Sequence, residues 1–400
     1  MKAVILAAGG GTRMRPLTDT RPKPMLPLAN KPLLEHLLLE AKEADIAEFI
    51  FVVGHHAHRV RDYFGDGERW GVSIEYVTQK KHWGTAYALR LVEGAAGDRF
   101  LALNGDVIAK KRDIGKMTAR DGISLGIIEV EDPRGLGVVE IAGDRIVGLY
   151  EKAPSPPSNL ANTGIYLLTK DIFHAISRIR RSPRGEYEIT DCLQLLIDDG
   201  YPIRYEKLDH WLDLTYPWDL LAANETLLRG VKSQNSGMIE EGVVIKGSVS
   251  VGRGTTIRAN SYIVGPVAIG ENCEIGPNAY IRPATSIGDG CHIGSGVEIK
   301  RSIIMGGTKV PHHNYVGDSV IGEDCNLGAG TKIANLRLDK KAIEVMGINT
   351  QLQKLGAILG DGVQTGINAC INVGSLIGSN TYIGPGAVAS GVILPHSKIL

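Results

Sequence analysis

The chain has 400 residues, enough for two or three domains, and 43% of them are hydrophobic, so each domain can bury its own core. Its 44 lysines and arginines balance 44 aspartates and glutamates, which argues against a nucleic-acid or anionic-membrane binder built on net basic charge. Five cysteines without a C-x-x-C pair argue against a disulfide or zinc framework, and no apolar stretch reaches bilayer length, so a cytoplasmic protein is expected.

Residues 1 to about 230 alternate between short apolar runs and amphipathic ones. Strands are predicted at Ala3 to Ala8, Phe49 to Val53, Ile74 to Val77 and Phe100 to Leu103, with helices over Lys31 to Ala44 and Thr85 to Val92. That order implies an α/β, Rossmann-like domain with a mostly parallel sheet, whose ligands sit off the carboxyl ends of the strands. The first strand runs into Ala7-Ala8-Gly9-Gly10-Gly11-Thr12-Arg13, where glycine N–H groups can cradle phosphates and an arginine adds charge. Prolines then stiffen Thr20-Arg21-Pro22-Lys23-Pro24, which presents Lys23.

Leu6 to Pro16 and Arg21 to Pro27 together resemble the signature of the sugar-1-phosphate nucleotidylyltransferases, and further segments follow in that family's order. The resemblance implies nucleotide contacts from Leu6, Gly9, Gly11, Thr12, Gln79, Gly84 and Thr85, and catalytic roles for Arg13 and Lys23. It implies Mg2+ ligands at Asp106, in Asn104-Gly105-Asp106, and at Asp213. Sugar contacts fall to Gly137, Glu151, Lys152 and Asn162. Such a transfer needs positioning and charge neutralisation more than covalent help. The Thr20 to Leu28 stretch looks more like glucose-1-phosphate thymidylyltransferases, so UTP and dTTP, glucose and N-acetylglucosamine, all stay open for this site.

A connecting helix is predicted from Pro217, then a polar linker at 231 to 238. From Ile239 to Ile299 an aliphatic residue falls on every sixth position, a period that fits neither a helix nor a plain strand. A repeat too short to bury its own apolar residue must stack on neighbours, three hexapeptides to a coil. Arg282 and Lys300 lie eighteen residues apart and are expected to stack on one wall, where two uncompensated cations would invite a phosphate. The beat fails after Met305, with Pro311 where an aliphatic residue was due and His312-His313 beside it, so a loop leaving the wall is predicted there. It fails again over 335 to 357.

The hexapeptide spacing resembles the left-handed parallel β-helix of the hexapeptide-repeat acyltransferases. The register from Arg282 through Asn335 resembles the active site of glucosamine-1-phosphate N-acetyltransferase. That resemblance implies His312 as the catalytic base, Arg282, Lys300, Tyr315, Asn326 and Lys341 on the sugar phosphate, Asn335 at the reacting centre, Ala329 near acetyl-CoA, and a structural His313. Leu336 departs from the family, which has an aromatic residue there. The expected whole is a bifunctional enzyme, residues 1–230 transferring uridylyl groups and 239–400 transferring acetyl groups, assembled as a homotrimer. Two other readings remain: a single-activity nucleotidylyltransferase whose repeat only assembles an oligomer, and a scaffold that has lost its chemistry.

Overall fold

The computed structural model describes residues 1–212 and 214–400. Asp213, expected to bind metal, lies outside the described residues. Two compact bodies are present: one of Met1–Gly10, Arg21–Met25 and Leu33–Asp213, the other of Gly11–Thr20, Leu26–Pro32 and Leu214–Leu400.

The first body is built on a nine-stranded sheet of β1 (Lys2–Ala7), β2 (Glu48–Val53), β3 (Ser73–Thr78), β4 (Arg99–Asn104), β5 (Ser124–Glu129), β6 (Gly137–Ala142), β7 (Arg145–Glu151), β8 (Leu160–Thr169) and β9 (Arg204–Lys207). Their order is β3-β2-β1-β4-β8-β5-β9-β7-β6. The four strands read from the sequence form the parallel part, β1 lying between β2 and β4. Beyond it the expectation of a mostly parallel sheet fails: β8 runs against both β4 and β5, and β6 against β7. β1, β2 and β4 are buried on both faces, Ala3, Val4 and Ile5 being 0% exposed, which is why they read as apolar runs, whereas the edge strand β3 alternates, with Ser73, Glu75 and Thr78 exposed.

The helix expected from Lys31 begins at Leu33 and ends at Glu43. Lys31–Pro32 instead pairs antiparallel with Pro27–Leu28 across a two-residue turn, in the second body. Both turn residues, Ala29 and Asn30, take the left-handed region at φ 46° and 64°, as a tight hairpin of this length demands.

In the second body a helix (Asp219–Leu228) precedes three parallel sheets that the chain visits in rotation, each strand pairing with the one three further on. Thr256 faces Glu274 and Glu274 faces His292, eighteen residues apart, as the six-residue beat requires. The beat residues point inward: Ile257, Ile263, Ile275, Ile281, Ile293 and Ile299 are all 0% exposed and form one continuous core. Cys273, Cys291 and Cys325 stack inside it as thiols, and burial pushes the latter two up to about 12. Buried Asn224, on the helix, accepts from the Ala29 N–H at 2.7 Å and the Ser286 hydroxyl at 3.1 Å.

The predicted loop at 306 to 315 is not a departure from the wall. The chain shortens by one residue earlier, between Ile299 and Ile304, so that Ile287 pairs with Ile304, and Val310, 0% exposed, takes the inward place that Pro311 was thought to vacate. His312 therefore ends a regular strand, Lys309–His312. The second break is real: Asn326 pairs with Gln364, and the intervening chain makes an excursion that folds into a hairpin, Glu344–Val345 against Ile348–Asn349.

Because each coil buries its aliphatic residue only against the next, deleting one side chain opens a cavity no neighbour can refill. Ile293→Ala is expected to cost about 2–5 kcal/mol. Chemical denaturation followed by circular dichroism checks it, and a loss near zero would mean that the coil relaxes around the gap.

Two candidate active sites

In the first body the carboxyl ends of β1 and β4 meet. Gly105 N–H donates to Leu6 C=O at 2.9 Å, and a Cβ on Gly105 would lie a tight 3.0 Å from that oxygen, an approach that glycine eases. The next residue, Asp106, accepts from Lys23 Nζ at 2.6 Å, the lysine side chain being 12% exposed and the carboxylate 39%. The two residues singled out as a phosphate binder and a metal ligand thus stand together. Beside them Asn104 Oδ1 is buried with no hydrogen-bond partner, an acceptor left open at the same strand end. One carboxylate and a side-chain carbonyl beside Lys23 suit Mg2+, which takes oxygen donors and keeps few protein ligands when substrate phosphates supply the rest. Among the described residues no cluster of three metal-ligating side chains occurs.

Leu6 is half-buried within β1, and Gly9, two residues past its end, is exposed. Within the second body Gly11, at φ 57°, opens a single 3-10 turn, Thr12–Met14, pinned by the Thr18 hydroxyl on Gly11 C=O at 2.8 Å. Its Thr12 and Arg13 are exposed while Met14 is buried.

Gln79, 6% exposed, follows β3 and donates from Nε2 to Lys81 C=O at 3.0 Å. Gly84 has φ 95°, and a Cβ there would sit 2.5 Å from Tyr187 C=O. The Thr85 hydroxyl accepts from Ile189 N–H at 3.0 Å, so Gln79 to Thr85 is fastened to Tyr187–Ile189. Gly84→Ala is expected to raise the nucleotide KM of the first site at least about fivefold while sparing the second site, because the strain is local. Steady-state kinetics of both sites check this, and equal damage to both would contradict it.

Gly137, Glu151 and Asn162 converge. Gly137 pairs with Glu151 across β6 and β7, and a Cβ on it would lie 2.9 Å from Glu151 Oε2 and 3.7 Å from Asn162 Cβ. Lys152 follows with φ 49°, its ammonium 3.9 Å from Glu151 Oε1. Three residues here were not read from the sequence. Asn162 Nδ2 donates to the Tyr166 hydroxyl at 2.9 Å, Arg184 Nη1 meets Glu151 Oε1 at 2.8 Å, and Glu188 lies 3.6 Å from the same guanidinium. Burial raises the Glu188 carboxyl above the ordinary range, with Arg184 pulling it back.

In the second body the pairing of Ile281 with Ile299 sets Arg282 opposite Lys300 on one wall, as expected. The two cations are not uncompensated, however. Arg282 Nη1 contacts Glu298 Oε1 at 2.8 Å, a bond that raises the guanidinium pKa, and Lys300 Nζ lies 3.3 Å from Asp318 Oδ2. Asn335 Nδ2 donates to Asp318 Oδ2 at 2.6 Å and to the Tyr315 hydroxyl at 3.2 Å. Both groups lie over Gly317, where a Cβ would come within 2.7 Å of each. Burial raises the Tyr315 phenol, which the Asn335 bond opposes.

Arg282, Lys300, Tyr315 and Asn335 thus share one wall. His312 ends a strand of the adjoining wall, three residues before Tyr315 begins its own, and is exposed. The ring of His313 lies over Gly296. Asn326 is exposed on the wall of His312, Ala329 sits at a corner where its C=O accepts from Asn368 N–H at 2.8 Å, and Lys341 is exposed on the excursion. A single chain does not bring Asn326 or Lys341 into contact with the Arg282 to Asn335 group through any hydrogen bond among the described residues.

A glycine loop leaving the central strand, with a lysine–aspartate pair at the neighbouring strand end, defines a nucleotidyl transferase, and the family model "Nucleotidyl transferase" covers residues 2–230. A second, "GMPPB C-terminal domain", covers residues 263–374. The chain is 40% identical to the "Bifunctional protein GlmU" of Methanocaldococcus jannaschii over 397 residues, 96% of this chain and 93% of the relative. It is also 40% identical to the "Bifunctional sugar-1-phosphate nucleotidylyltransferase/acetyltransferase" of Sulfurisphaera tokodaii over 399 residues, 98% and 97% of the two chains. A solved Bacillus anthracis protein described as a glucose-1-phosphate thymidylyltransferase superposes with a TM-score of 0.53 at 33% identity, covering 59% of this chain and 98% of that one. The chain therefore belongs to the family of bifunctional sugar-1-phosphate nucleotidylyltransferases/acetyltransferases. Among the described residues no helix is long and apolar enough to cross a membrane.

Proposed function

We propose that the chain carries out two consecutive steps of nucleotide-sugar synthesis in the cytoplasm. In the second body the amine of glucosamine 1-phosphate attacks the acetyl carbonyl of acetyl-CoA. The C–N bond forms, the C–S bond breaks, the thiol leaves and His312 takes the amine proton. In the nucleotidyl-transfer step a phosphate oxygen of the N-acetylated product attacks the α-phosphorus of UTP, and the α–β bridging bond breaks to release pyrophosphate. Arg13 and Lys23 hold phosphates, Gly9, Gly11, Thr12, Gln79, Gly84 and Thr85 hold the nucleotide, and Gly137, Glu151, Lys152 and Asn162 orient the sugar. Asp106, with Asp213, would hold Mg2+, which when bound neutralises the reacting phosphates.

The observation that carries this reading is the Arg282, Lys300, Tyr315 and Asn335 group on one wall, which a repeat serving only assembly would not need. The coil is read as a left-handed parallel β-helix whose flat walls pack as a homotrimer, a neighbouring copy completing the site around Asn326, Lys341 and Ala329. The test is competition: with Mg2+, UTP and N-acetylglucosamine 1-phosphate should exceed dTTP and glucose 1-phosphate in kcat/KM by at least about tenfold. The reverse preference would return the first site to the glucose-1-phosphate thymidylyltransferase reading.

A further inference from the structure

The second site has an inner layer that leads back to the helix Asp219–Leu228. Asp318, its side chain 1% exposed, is held by Lys300 Nζ and Arg301 Nη1, each at 3.3 Å, and by Asn335 Nδ2 at 2.6 Å. Arg301 is itself held on the other side, where its Nε lies 3.2 Å from Glu225 Oε2 on that helix. Both Arg301 and Asp318 stand at corners of left-handed conformation, φ 43° and 50°. These are the two successive corners where the coil is one residue short, with Ile299 to Ile304 and then Val316 to Ile321 as five-residue steps. Shortening draws the corner backbone inward, and Asp318 N–H donates to Lys300 C=O at 2.9 Å.

The charged groups around this corner are paired without a ligand: Arg282 with Glu298, and Lys300 and Arg301 with Asp318 and Glu225, whose other oxygen meets Arg229 of its own helix at 3.1 Å. An arriving phosphate dianion can be bound only by drawing Lys300 and Arg282 off their carboxylates. A buried carboxylate stripped of its counter-ion is costly, so Asp318 would otherwise compete with the phosphate for Lys300. Arg301 removes that competition, because its fork reaches Asp318 and, on the helix, Glu225 together.

We propose that Arg301, oriented by Glu225, is a positioning residue: it keeps Asp318 compensated when the sugar phosphate takes Lys300, so that Asp318 goes on holding Asn335 and, through it, Tyr315. This rests on reading the second body as the site for glucosamine 1-phosphate. It adds to that reading a counter-ion supplied from behind the site by the connecting helix.

The test uses the full chain. Thiol release is measured against glucosamine 1-phosphate and acetyl-CoA for wild type, Arg301→Ala, Arg301→Lys and Glu225→Gln, with pyrophosphate release from N-acetylglucosamine 1-phosphate and UTP as the control for folding. Arg301→Ala should raise KM for glucosamine 1-phosphate about tenfold, the loss of one charge-assisted contact, with KM for acetyl-CoA and pyrophosphate release unchanged. Arg301→Lys should recover most of the loss, and Glu225→Gln should show a smaller rise of the same kind. In an Asp318→Asn background Arg301→Ala should add nothing, since its target charge is gone. An unchanged KM for glucosamine 1-phosphate, an equal rise in both KM values, or a full additional effect in that background would each overturn the proposal. Calorimetry separates its failure from that of the underlying reading. The heat of glucosamine 1-phosphate binding that vanishes in Lys300→Ala belongs to this site, and its Kd must weaken in Arg301→Ala even if the wild type releases no thiol.

Discussion

Asp106→Ala is expected to lower pyrophosphate release on the order of 10³-fold while leaving thiol release from acetyl-CoA within about twofold of wild type. The carboxylate lies two residues past β4, next to Gly105, whose N–H bonds β1 at Leu6, and it is the partner of Lys23 at 2.6 Å. Removing it takes away the proposed ligand for a charge-neutralising cation and also frees Lys23 from its position, so on that reading two contributions to phosphate transfer fall together. Because the residue is 39% exposed at a strand end and not in the core, the fold should survive. Titrating Mg2+ adds a second readout: wild-type activity should saturate with the metal, and the variant should stay flat across the same range. Partial recovery at high Mg2+ would mean that the carboxylate serves to orient Lys23 alone.

His312→Ala is expected to do the converse, lowering kcat for thiol release by roughly 10²–10⁴-fold, the usual worth of a general base, and sparing pyrophosphate release from supplied N-acetylglucosamine 1-phosphate. The imidazole is exposed at the end of the strand Lys309–His312, where the chain turns from one wall to the next and Tyr315 begins. His313→Ala should behave differently. Its ring covers Gly296 and its backbone has φ 50°, so its loss should lower stability more than kcat. If the two substitutions act alike, the assignment of the base to His312 is wrong.

What could be read from the chain alone follows its physics. Local, periodic features were legible. Strands β1, β2 and β4 are apolar runs because both faces are covered, and the six-residue beat is visible because the inward positions meet the same core. Direction and pairing were not. Nothing in Leu160–Thr169 says that β8 runs against its neighbours, since that depends on strands far along the chain. The one-residue shortening before Ile304 was mistaken for a break at Pro311, because a slip of phase and a missing beat look alike until the strand partners are known. Asp318 and Glu298, which compensate Lys300 and Arg282, belong to no motif; only the coil register reveals them as counter-ions. Arg184 and Glu188 were lost in a charged run that looks like surface, although Glu188 is 5% exposed. The excursion between Ile333 and Ala357 has no period to follow, which is why the acetyl-CoA side of the second site stayed the least defined.

The most direct test of two independent sites in one chain is complementation. Asp106→Ala and His312→Ala proteins are supplied with glucosamine 1-phosphate, acetyl-CoA, UTP and Mg2+, separately and mixed, and thiol, pyrophosphate and nucleotide sugar are followed together. Each variant alone should make no nucleotide sugar, the first releasing thiol only and the second releasing neither product, while the mixture should make it with thiol and pyrophosphate in equal amounts. A mixture that stays inactive, or wild-type protein that releases pyrophosphate from glucosamine 1-phosphate without first releasing thiol, would contradict the account.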